Sequence, residues 1–336
     1  MEKMPALVDR FGRTHTYLRI SVTDRCNLRC LYCMPEEGMV FMEQEKLLSY
    51  ANILEVAATA ARLGIRKFRI TGGEPLVRPN LDELVAGLSA LPGIEDISLT
   101  TNGILLAPQA RKLKEAGLKR VNISLDTLDA TRFKFIARRG DLNRVLEGVQ
   151  AAAEAGLTPI KLNCVLLKGV NEDEIATFLK LSMDQPLHVR FIEYMPIGHD
   201  DAGWRNHYLP LSKVLEEAQR LGYAVQQIEG PKGSGPSDDY RIEGGVGTFG
   251  LIHPISDQFC KNCNRLRLTA DGNLKPCLYW VDELNVKQAL GSEEEMERLF
   301  FKAMDIKPEN HEMAALLAGE KLTHVPTERR MSQIGG

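Results

Sequence analysis

Between residues 18 and 192 short β-rich runs alternate with longer helical patterns, and this alternation constrains the fold more than any other feature. The predicted strands lie at residues 18–22, 67–71, 96–100, 120–124, 160–165 and 189–192. The helices predicted between them lie at residues 44–63, 80–91, 107–116, 142–155 and 173–182. Units that alternate between strand and helix form a parallel sheet wrapped by helices. Because a closed barrel needs eight strands, the six predict an α/β fold with an open arc or a doubly wound sheet.

The pattern changes after residue 221, so we predict a core at 10–220 and a C-terminal region at 221–336. This region has the signals of a loop rich in Gly, Pro and Ser, two strands, a β-hairpin and a charged helix. These lie at residues 230–237, 240–243, 248–253, 265–278 and 292–304. An extended tail is expected to follow the helix.

Composition and charge argue against several classes of protein. The 336 residues are 44% hydrophobic and 26% charged, and the formal net charge is −3. This balance allows a sizeable core, and it argues against a general nucleic-acid binder, which carries a basic excess. No run of 18 apolar residues predicts a membrane span, and the N-terminus has no apolar stretch of signal-peptide length. We therefore expect a cytoplasmic protein with reduced thiols.

Six of the seven cysteines form two groups of three, a pattern typical of metal sites in a reducing compartment. Cys26, Cys30 and Cys33 form the first group, directly after the first predicted strand. Three thiolates leave one iron of a cubane cluster open to a small-molecule ligand. A closed structural zinc site needs four ligands, and no histidine lies in this loop. We therefore predict an iron–sulfur cluster, with zinc completed by a distant ligand as the alternative.

The second group is Cys260, Cys263 and Cys277. The predicted hairpin explains its spacing, because folding about the turn returns Cys277 to the side of Leu266, near Cys263. These thiolates again have no obvious fourth partner, so we predict a second cubane cluster with one open iron. A zinc site completed by His253 is the alternative.

Basic residues occur where strands are normally apolar. Arg265 and Arg267 stand two positions apart on the predicted hairpin, so both face one side of the strand. Arg19, Arg69 and Lys161 lie inside predicted parallel strands, where an unpaired buried charge is costly. A wet strand end or a solvated edge would explain any one of these residues. Together they predict a basic barrel interior for a strongly anionic ligand, such as a triphosphate.

The first cysteine group, with Tyr32 between its last two cysteines, resembles the signature of the radical SAM superfamily. Gly72-Gly73-Glu74-Pro75, at the end of the second strand, is similar to the glycine-rich motif of that superfamily. The resemblance implies a partial (β/α)6 TIM-like barrel, in agreement with the six predicted strands, and a C-terminal region that closes its mouth. It also implies that the open iron binds S-adenosylmethionine and cleaves it to a 5′-deoxyadenosyl radical.

Within the superfamily, the chain resembles the GTP 3′,8-cyclase family of molybdenum-cofactor biosynthesis almost from end to end. The motifs that carry this resemblance are Ser21-Val22-Thr23-Asp24-Arg25-Cys26 and Cys263-Asn264-Arg265-Leu266-Arg267. It implies two [4Fe–4S] clusters, the second of which binds guanine. The implied contacts to S-adenosylmethionine are Tyr32, Gly73, Ser124 and Met195. The implied contacts to GTP are Arg19, Arg69, Thr100, Lys161, Arg265, Leu266 and Arg267.

The chain ends in Gly335 and Gly336, after a segment at 329–334 that matches the tail of this family. By the resemblance the tail enters the active site, where glycine permits close passage past a ligand. Both glycines are then catalytic, together with Arg265 and Arg267. A frayed end is the alternative.

The resemblance implies that GTP is rearranged to (8S)-3′,8-cyclo-7,8-dihydroguanosine 5′-triphosphate, the substrate of a separate cyclic pyranopterin monophosphate synthase. A radical SAM enzyme that modifies a peptide, with an auxiliary cluster, is one alternative function. A non-catalytic, zinc-bound nucleotide-binding protein is another. The sequence identifies no electron donor, and it is compatible with a monomer or a homodimer.

Overall fold

The computed structural model describes residues 6–198, 204–229, 235–256 and 259–335. Its centre is an arc of six neighbouring parallel strands, which are β1 Tyr17–Ser21, β2 Lys67–Thr71, β3 Asp96–Thr101, β4 Arg120–Ser124, β5 Lys161–Leu166 and β6 His188–Glu193. The helices that connect them are α1 Tyr50–Arg62, α2 Leu81–Ser89, α3 Ala110–Glu115, α4 Ala130–Ala137, α5 Leu142–Glu154 and α6 Ile175–Asp184. All six predicted strands are confirmed, with ends that differ by one residue at most.

Among the helices between the six strands, two differ most from the prediction. The helix predicted from residue 44 begins at Tyr50, because Ser49 caps it by accepting a hydrogen bond of 3.1 Å from the backbone N–H of Asn52. Helix α4 was not predicted, and Asp129 caps it by accepting from the backbone N–H of Arg132 at 2.6 Å. Local caps therefore set where these helices start.

The later part of the chain extends the arc at both edges. Its elements are α7 Trp204–His207, α8 Ser212–Arg220, β7 Val225–Ile228, β8 Asp238–Ile242, β9 Thr248–Ile252, β10 Arg265–Leu268, β11 Asn273–Lys275, β12 Leu284–Asn285, α9 Glu293–Asp305, α10 Met313–Ala318 and α11 Met331–Ile334. Strand β9 pairs parallel with β6, and β10 pairs parallel with β1. Among the described residues the strands form one sheet in the order β12-β11-β10-β1-β2-β3-β4-β5-β6-β9-β8-β7. Its ends do not pair, so the barrel is partial, as predicted.

Alternation along the strands separates an apolar face from a polar one. Leu18 and Ile20 of β1 belong to the main hydrophobic core, together with buried residues of α1, α2 and α9. Arg19 lies between them and therefore faces the interior of the arc. The same alternation places Arg69 of β2 in the interior and Phe68 and Ile70 in the core. The sheet thus presents polar side chains to a central cavity.

Among the described residues, no helix combines the length and apolar character needed to cross a membrane. The predicted division at residue 220 stays a prediction.

Candidate functional site

A large cavity lies inside the arc, and both cysteine groups line it. The first group stands in the loop after β1, where the backbone N–H groups of Cys33 and Met34 donate to the carbonyl oxygen of Cys30 at 3.0 and 3.1 Å. Burial raises the pKa of Cys26 to about 12 and that of Cys33 to about 11. These thiols therefore keep their protons at neutral pH unless a bound metal displaces them.

Gly72 and Gly73 pack directly on the cysteine loop. A Cβ atom on Gly73 would lie 2.4 Å from the carbonyl oxygen of Arg25, and one on Gly72 would lie 2.5 Å from that of Thr23. Gly73 also donates its N–H to the Thr23 carbonyl at 2.8 Å. Because no side chain fits here, the two glycines allow the ends of β1 and β2 to approach each other beside the first cysteines.

Glu74, which follows the two glycines, is bound to the residues at the end of β3. Its carboxylate is fully buried and accepts hydrogen bonds from the Thr101 hydroxyl at 2.8 Å and the Asn102 backbone N–H at 2.7 Å. Burial raises its pKa to about 7. Asn102 in turn donates from its side chain to that of Asn27 in the cysteine loop at 2.7 Å.

Tyr32 and Asp126 connect the cysteine loop to the opposite strands. The Tyr32 hydroxyl donates to Asp126 Oδ2 at 2.7 Å, and Asp126 Oδ1 accepts from the Val165 N–H at 2.9 Å. Burial raises the pKa of Asp126 to about 6. Tyr32, Ser124 and Met195, which were predicted to contact S-adenosylmethionine, all line the cavity beside Gly73.

The second cysteine group lines the cavity from the turn before β10, which carries Cys260 and Cys263, and from the segment after β11, which carries Cys277. In the hairpin Arg267 pairs with Lys275, a register that places Cys277 across from Arg265. The predicted neighbour, Leu266, is wrong by one position, because the loop spans residues 270–272 and Gly272 adopts a left-handed φ of 88°.

The thiols of this group differ in their charge environment. Burial raises the pKa of Cys260 to about 11. Burial opposes ionisation of Cys263 as well, but the positive charges of Lys307 and Arg265 lower its pKa to about 6. Lys307 is itself buried and donates to the carbonyl oxygens of Arg265, at 3.0 Å, and Pro276. It thereby links the start of β10, next to Cys263, to the segment after β11, which carries Cys277.

As far as the structure describes them, neither cysteine group forms a site for a single metal ion. Within the described ranges, no three Cys, His, Asp or Glu side chains are arranged to hold one metal ion. The thiol-only donor set of each group fits iron–sulfur chemistry.

Several arginines line the same cavity as the two cysteine groups. Arg19, Arg69, Arg190, Arg265 and Arg267 all line it. Register explains the grouping, since Arg19 lies beside Arg69 on one side and beside Arg267 on the other.

Three of these arginines are buried without a carboxylate partner among the described residues. Arg190 is 3% exposed and donates to the side-chain oxygens of Asn163, at 2.6 and 2.9 Å, and Asn122, at 2.8 Å. Arg69 donates to Ser98 at 3.3 Å. Arg267 donates to the Gly335 carbonyl at 2.5 Å. Burial and then neighbouring arginines lower the pKa of Arg190 to about 9 and that of Arg267 to about 10. An anion bound here would relieve this unfavourable concentration of positive charge.

Thr100, predicted to contact GTP, also lines the cavity, and its buried hydroxyl has no hydrogen-bond partner in the described part of the chain. Lys161 does not line the cavity, but it lies close enough for burial, Arg190 and Arg120 to lower its pKa to about 7. The side chain of Leu266 packs in the hydrophobic core, which leaves its backbone for the predicted contact. The roles of these residues stay predictions.

The C-terminal tail reaches this site. The backbone of Ser332 lies close enough to Cys33 to oppose the rise in the pKa of that thiol that burial causes. A Cβ atom on Gly335 would lie 2.5 Å from Thr71 Cγ2 and 3.2 Å from Ser21 Cβ, at the carboxyl ends of β2 and β1. The expected extended tail instead contains the short helices α10 and α11. Gly336 lies outside the described residues.

Sequence reasoning missed several cavity residues, of which Arg190 is the most informative. It stands in β6 between Val189 and Phe191, the same charged-within-apolar pattern that pointed to Arg19 and Arg69. Asn163, Asp126, Lys307 and His311 also line the cavity, but no local pattern distinguishes them.

Comparison with known families divides the chain into two parts. Residues 20–182 match the Radical SAM superfamily, and residues 187–313 match the family described as Molybdenum Cofactor Synthesis C. Solved structures with the same fold include Streptococcus suis SuiB bound to S-adenosylmethionine, with a TM-score of 0.59, 14% identity and coverage of 88% of this chain and 69% of that one. Native anSMEcpe with bound AdoMet has a TM-score of 0.53, 16% identity and coverage of 88% and 82%.

Curated relatives match over nearly the whole chain. A GTP 3′,8-cyclase of Listeria monocytogenes serovar 1/2a is 55% identical over 99% of this chain and 100% of its own length. The GTP 3′,8-cyclase of Lactiplantibacillus plantarum is 49% identical with the same coverage. The chain therefore belongs to the GTP 3′,8-cyclase family of the radical SAM superfamily.

Proposed function

We propose that this protein is a cytoplasmic lyase that converts GTP to (8S)-3′,8-cyclo-7,8-dihydroguanosine 5′-triphosphate, the first step of molybdenum-cofactor biosynthesis. It would use S-adenosylmethionine and two [4Fe–4S] clusters, one at each cysteine group. The observation that carries the proposal is that Arg69, Arg190 and Arg267 are buried, without carboxylate partners among the described residues, in the cavity that both cysteine groups line.

The arginines account for recognition of the triphosphate. Each of the three retains guanidinium donors beyond the neutral oxygens that it contacts in the protein. Planar guanidinium groups bind phosphate oxygens in pairs, and each charge-assisted hydrogen bond contributes roughly 1.5–3 kcal/mol. The side chains of Asn122 and Asn163 fix Arg190 in place before the nucleotide arrives. The phosphate groups would thus be held between the clusters, with the base directed toward the second cysteine group.

The first cysteine group fits a cluster with one open iron. Three half-buried cysteines stand in a loop held by Gly72, Gly73 and the Tyr32–Asp126 hydrogen bond, and they line the same cavity as Ser124 and Met195. When bound there, the cluster would supply the electron that cleaves S-adenosylmethionine, and the resulting radical would take hydrogen from C3′ of the ribose. The protein's part is to hold the nucleotide with C3′ at that position and to keep water away from it.

The second cysteine group fits a cluster that holds the base. Lys307 joins the segments that carry Cys263 and Cys277, and the positive charges of Lys307 and Arg265 would balance negative charge on the thiolates. Arg265 stands across the hairpin from Cys277, so one element presents both a cluster ligand and a phosphate-binding side chain. This arrangement would fix the distance between guanine and triphosphate.

A peptide-modifying radical SAM enzyme stays the alternative prediction. SuiB has been solved with its precursor peptide SuiA, and its likeness to this chain extends to the fold. The unneutralised arginines favour a polyanionic substrate over a peptide backbone.

The test is anaerobic reconstitution with iron and sulfide, followed by incubation with GTP, S-adenosylmethionine and a strong one-electron reductant. We expect about eight irons per chain for two cubane clusters, and formation of 5′-deoxyadenosine together with loss of GTP. Zinc in place of iron, or cleavage of S-adenosylmethionine that GTP never couples to product, would contradict the proposal.

A further inference from the structure

His311 is a buried cavity residue, and neither cluster binding nor phosphate binding gives it a role. It is 4% exposed and lines the cavity together with Cys260, Cys263 and Cys277. Its ring lies edge-on to Phe259, with 6.0 Å between the ring centres. Its backbone lies close enough to Cys260 to oppose the rise in the pKa of that thiol that burial causes. The side chain is therefore fixed against the second cysteine group.

The hydrogen bonds of the ring determine which nitrogen carries the proton. The backbone N–H of Met313, which can only donate, is directed at Nδ1 of His311 at 3.2 Å. Nδ1 must therefore be the acceptor, and the neutral ring carries its proton on Nε2. Nε2 is buried and has no hydrogen-bond partner within the described residues. A buried N–H donor without a partner is costly, so this group calls for a ligand acceptor.

We propose that His311 is a specificity-determining residue that donates its Nε2–H to the carbonyl oxygen at C6 of the guanine base; this inference rests on the proposed function. The other side-chain donors on the cavity wall include Arg69, Arg190 and Arg267, which suit phosphate. A neutral donor beside the second cysteine group suits the uncharged carbonyl of a base. Adenine carries an amino donor at C6, so a fixed N–H accepts guanine and opposes adenine. A polar contact of this kind discriminates strongly, because the wrong base leaves buried groups unpaired.

Two substitutions separate the two nitrogens of the ring. The side-chain oxygen of His311→Asn can accept from the Met313 N–H as Nδ1 does, but the shorter side chain does not reach the Nε2 position. His311→Gln places an amide N–H near Nε2 and serves as the matched control that keeps the donor. With both clusters loaded, we expect His311→Asn to raise the KM for GTP about tenfold, equivalent to one lost hydrogen bond. His311→Gln should stay within about threefold of the wild type.

The nucleotides identify the atom that is recognised. ITP keeps the carbonyl at C6 and lacks the 2-amino group, so His311→Asn should affect GTP and ITP equally and should narrow the preference for GTP over ATP. Unchanged KM and unchanged preference in His311→Asn would overturn the proposal.

Iron content and the EPR spectrum of the second cluster are measured in the same samples. Loss of second-cluster iron in His311→Asn, or an altered EPR spectrum with equal losses for GTP and ATP, would show that His311 positions Cys260 or the cluster, and would also overturn it. A wild-type protein that cannot use GTP would instead contradict the proposed function itself.

Discussion

The position of Gly335 allows the role of the docked tail to be tested by the addition of a single methyl group. Gly335 has a left-handed φ of 78°, and its carbonyl oxygen accepts from Arg267 at 2.5 Å. In Gly335→Ala the new Cβ would lie 2.5 Å from Thr71 Cγ2, a contact that forces the tail to move. Left-handed alanine costs roughly 1–2 kcal/mol, and loss of the Arg267 hydrogen bond roughly 1.5–3 kcal/mol more.

Together these terms disfavour the docked tail by about 2.5–5 kcal/mol, which is about two to three and a half powers of ten in the docking equilibrium. If GTP cyclisation requires the docked tail, Gly335→Ala should lose at least about tenfold in turnover. Uncoupled cleavage of S-adenosylmethionine and the iron content should persist, because the substitution removes no cysteine. The assay follows loss of GTP and formation of 5′-deoxyadenosine in parallel, after reconstitution.

Gly319→Ala is the matched control. Gly319 has a left-handed φ of 75°, but no atom lies within 4 Å of the position of its Cβ. It therefore introduces the same backbone strain at a helix end without a clash, and we expect normal turnover. Normal turnover in Gly335→Ala as well, or equal losses in both variants, would refute the docked-tail argument.

Three further predictions concern the clusters and the cations. Cys30→Ala should abolish 5′-deoxyadenosine formation while the second cluster keeps its iron; unchanged cleavage would exclude the radical role of the first group. Arg265→Ala and Arg267→Ala should each weaken GTP use by about one to two powers of ten, with uncoupled cleavage retained, since each charge-assisted bond contributes roughly 1.5–3 kcal/mol; full turnover in both would place the triphosphate elsewhere. Lys161 has a pKa lowered to about 7 by burial, Arg190 and Arg120, and a bound triphosphate should raise it. GTP binding would then take up a proton. The affinity for GTP should therefore be constant below pH 7 and fall by up to about tenfold per pH unit above pH 7. Lys161→Met should lose this dependence relative to wild type, and an unaltered pH profile in that variant would exclude Lys161.

Much of the fold could be predicted because each strand has a local signal. The six strands were found from their β-rich runs, and the arginines inside β1 and β2 pointed correctly to a polar interior. The pairing of β10 with β1, and of β9 with β6, joins segments far apart in the chain. No local pattern encodes such pairing, so the widening of the sheet at both edges was not foreseen.

What the sequence analysis left open, misplaced or missed at the site has physical causes. Because Arg265 and Arg267 face the cavity, the alternation of a strand turns the Leu266 side chain toward the core, a consequence that the sequence itself implies. The hairpin loop spans only residues 270–272, so Cys277 lies across from Arg265 and not beside the predicted Leu266. Arg190 depends on asparagines from two other strands, Asn122 and Asn163, and such a cluster exists only in the folded protein.

The most direct test of the central claim is the fate of the hydrogen at C3′ of GTP. Reconstituted protein is incubated with GTP that carries deuterium at C3′, together with S-adenosylmethionine and reductant, and 5′-deoxyadenosine is examined by mass spectrometry. The account predicts that the deuterium appears in 5′-deoxyadenosine in step with formation of the cyclised triphosphate. Cyclised product accompanied by 5′-deoxyadenosine without deuterium would contradict it.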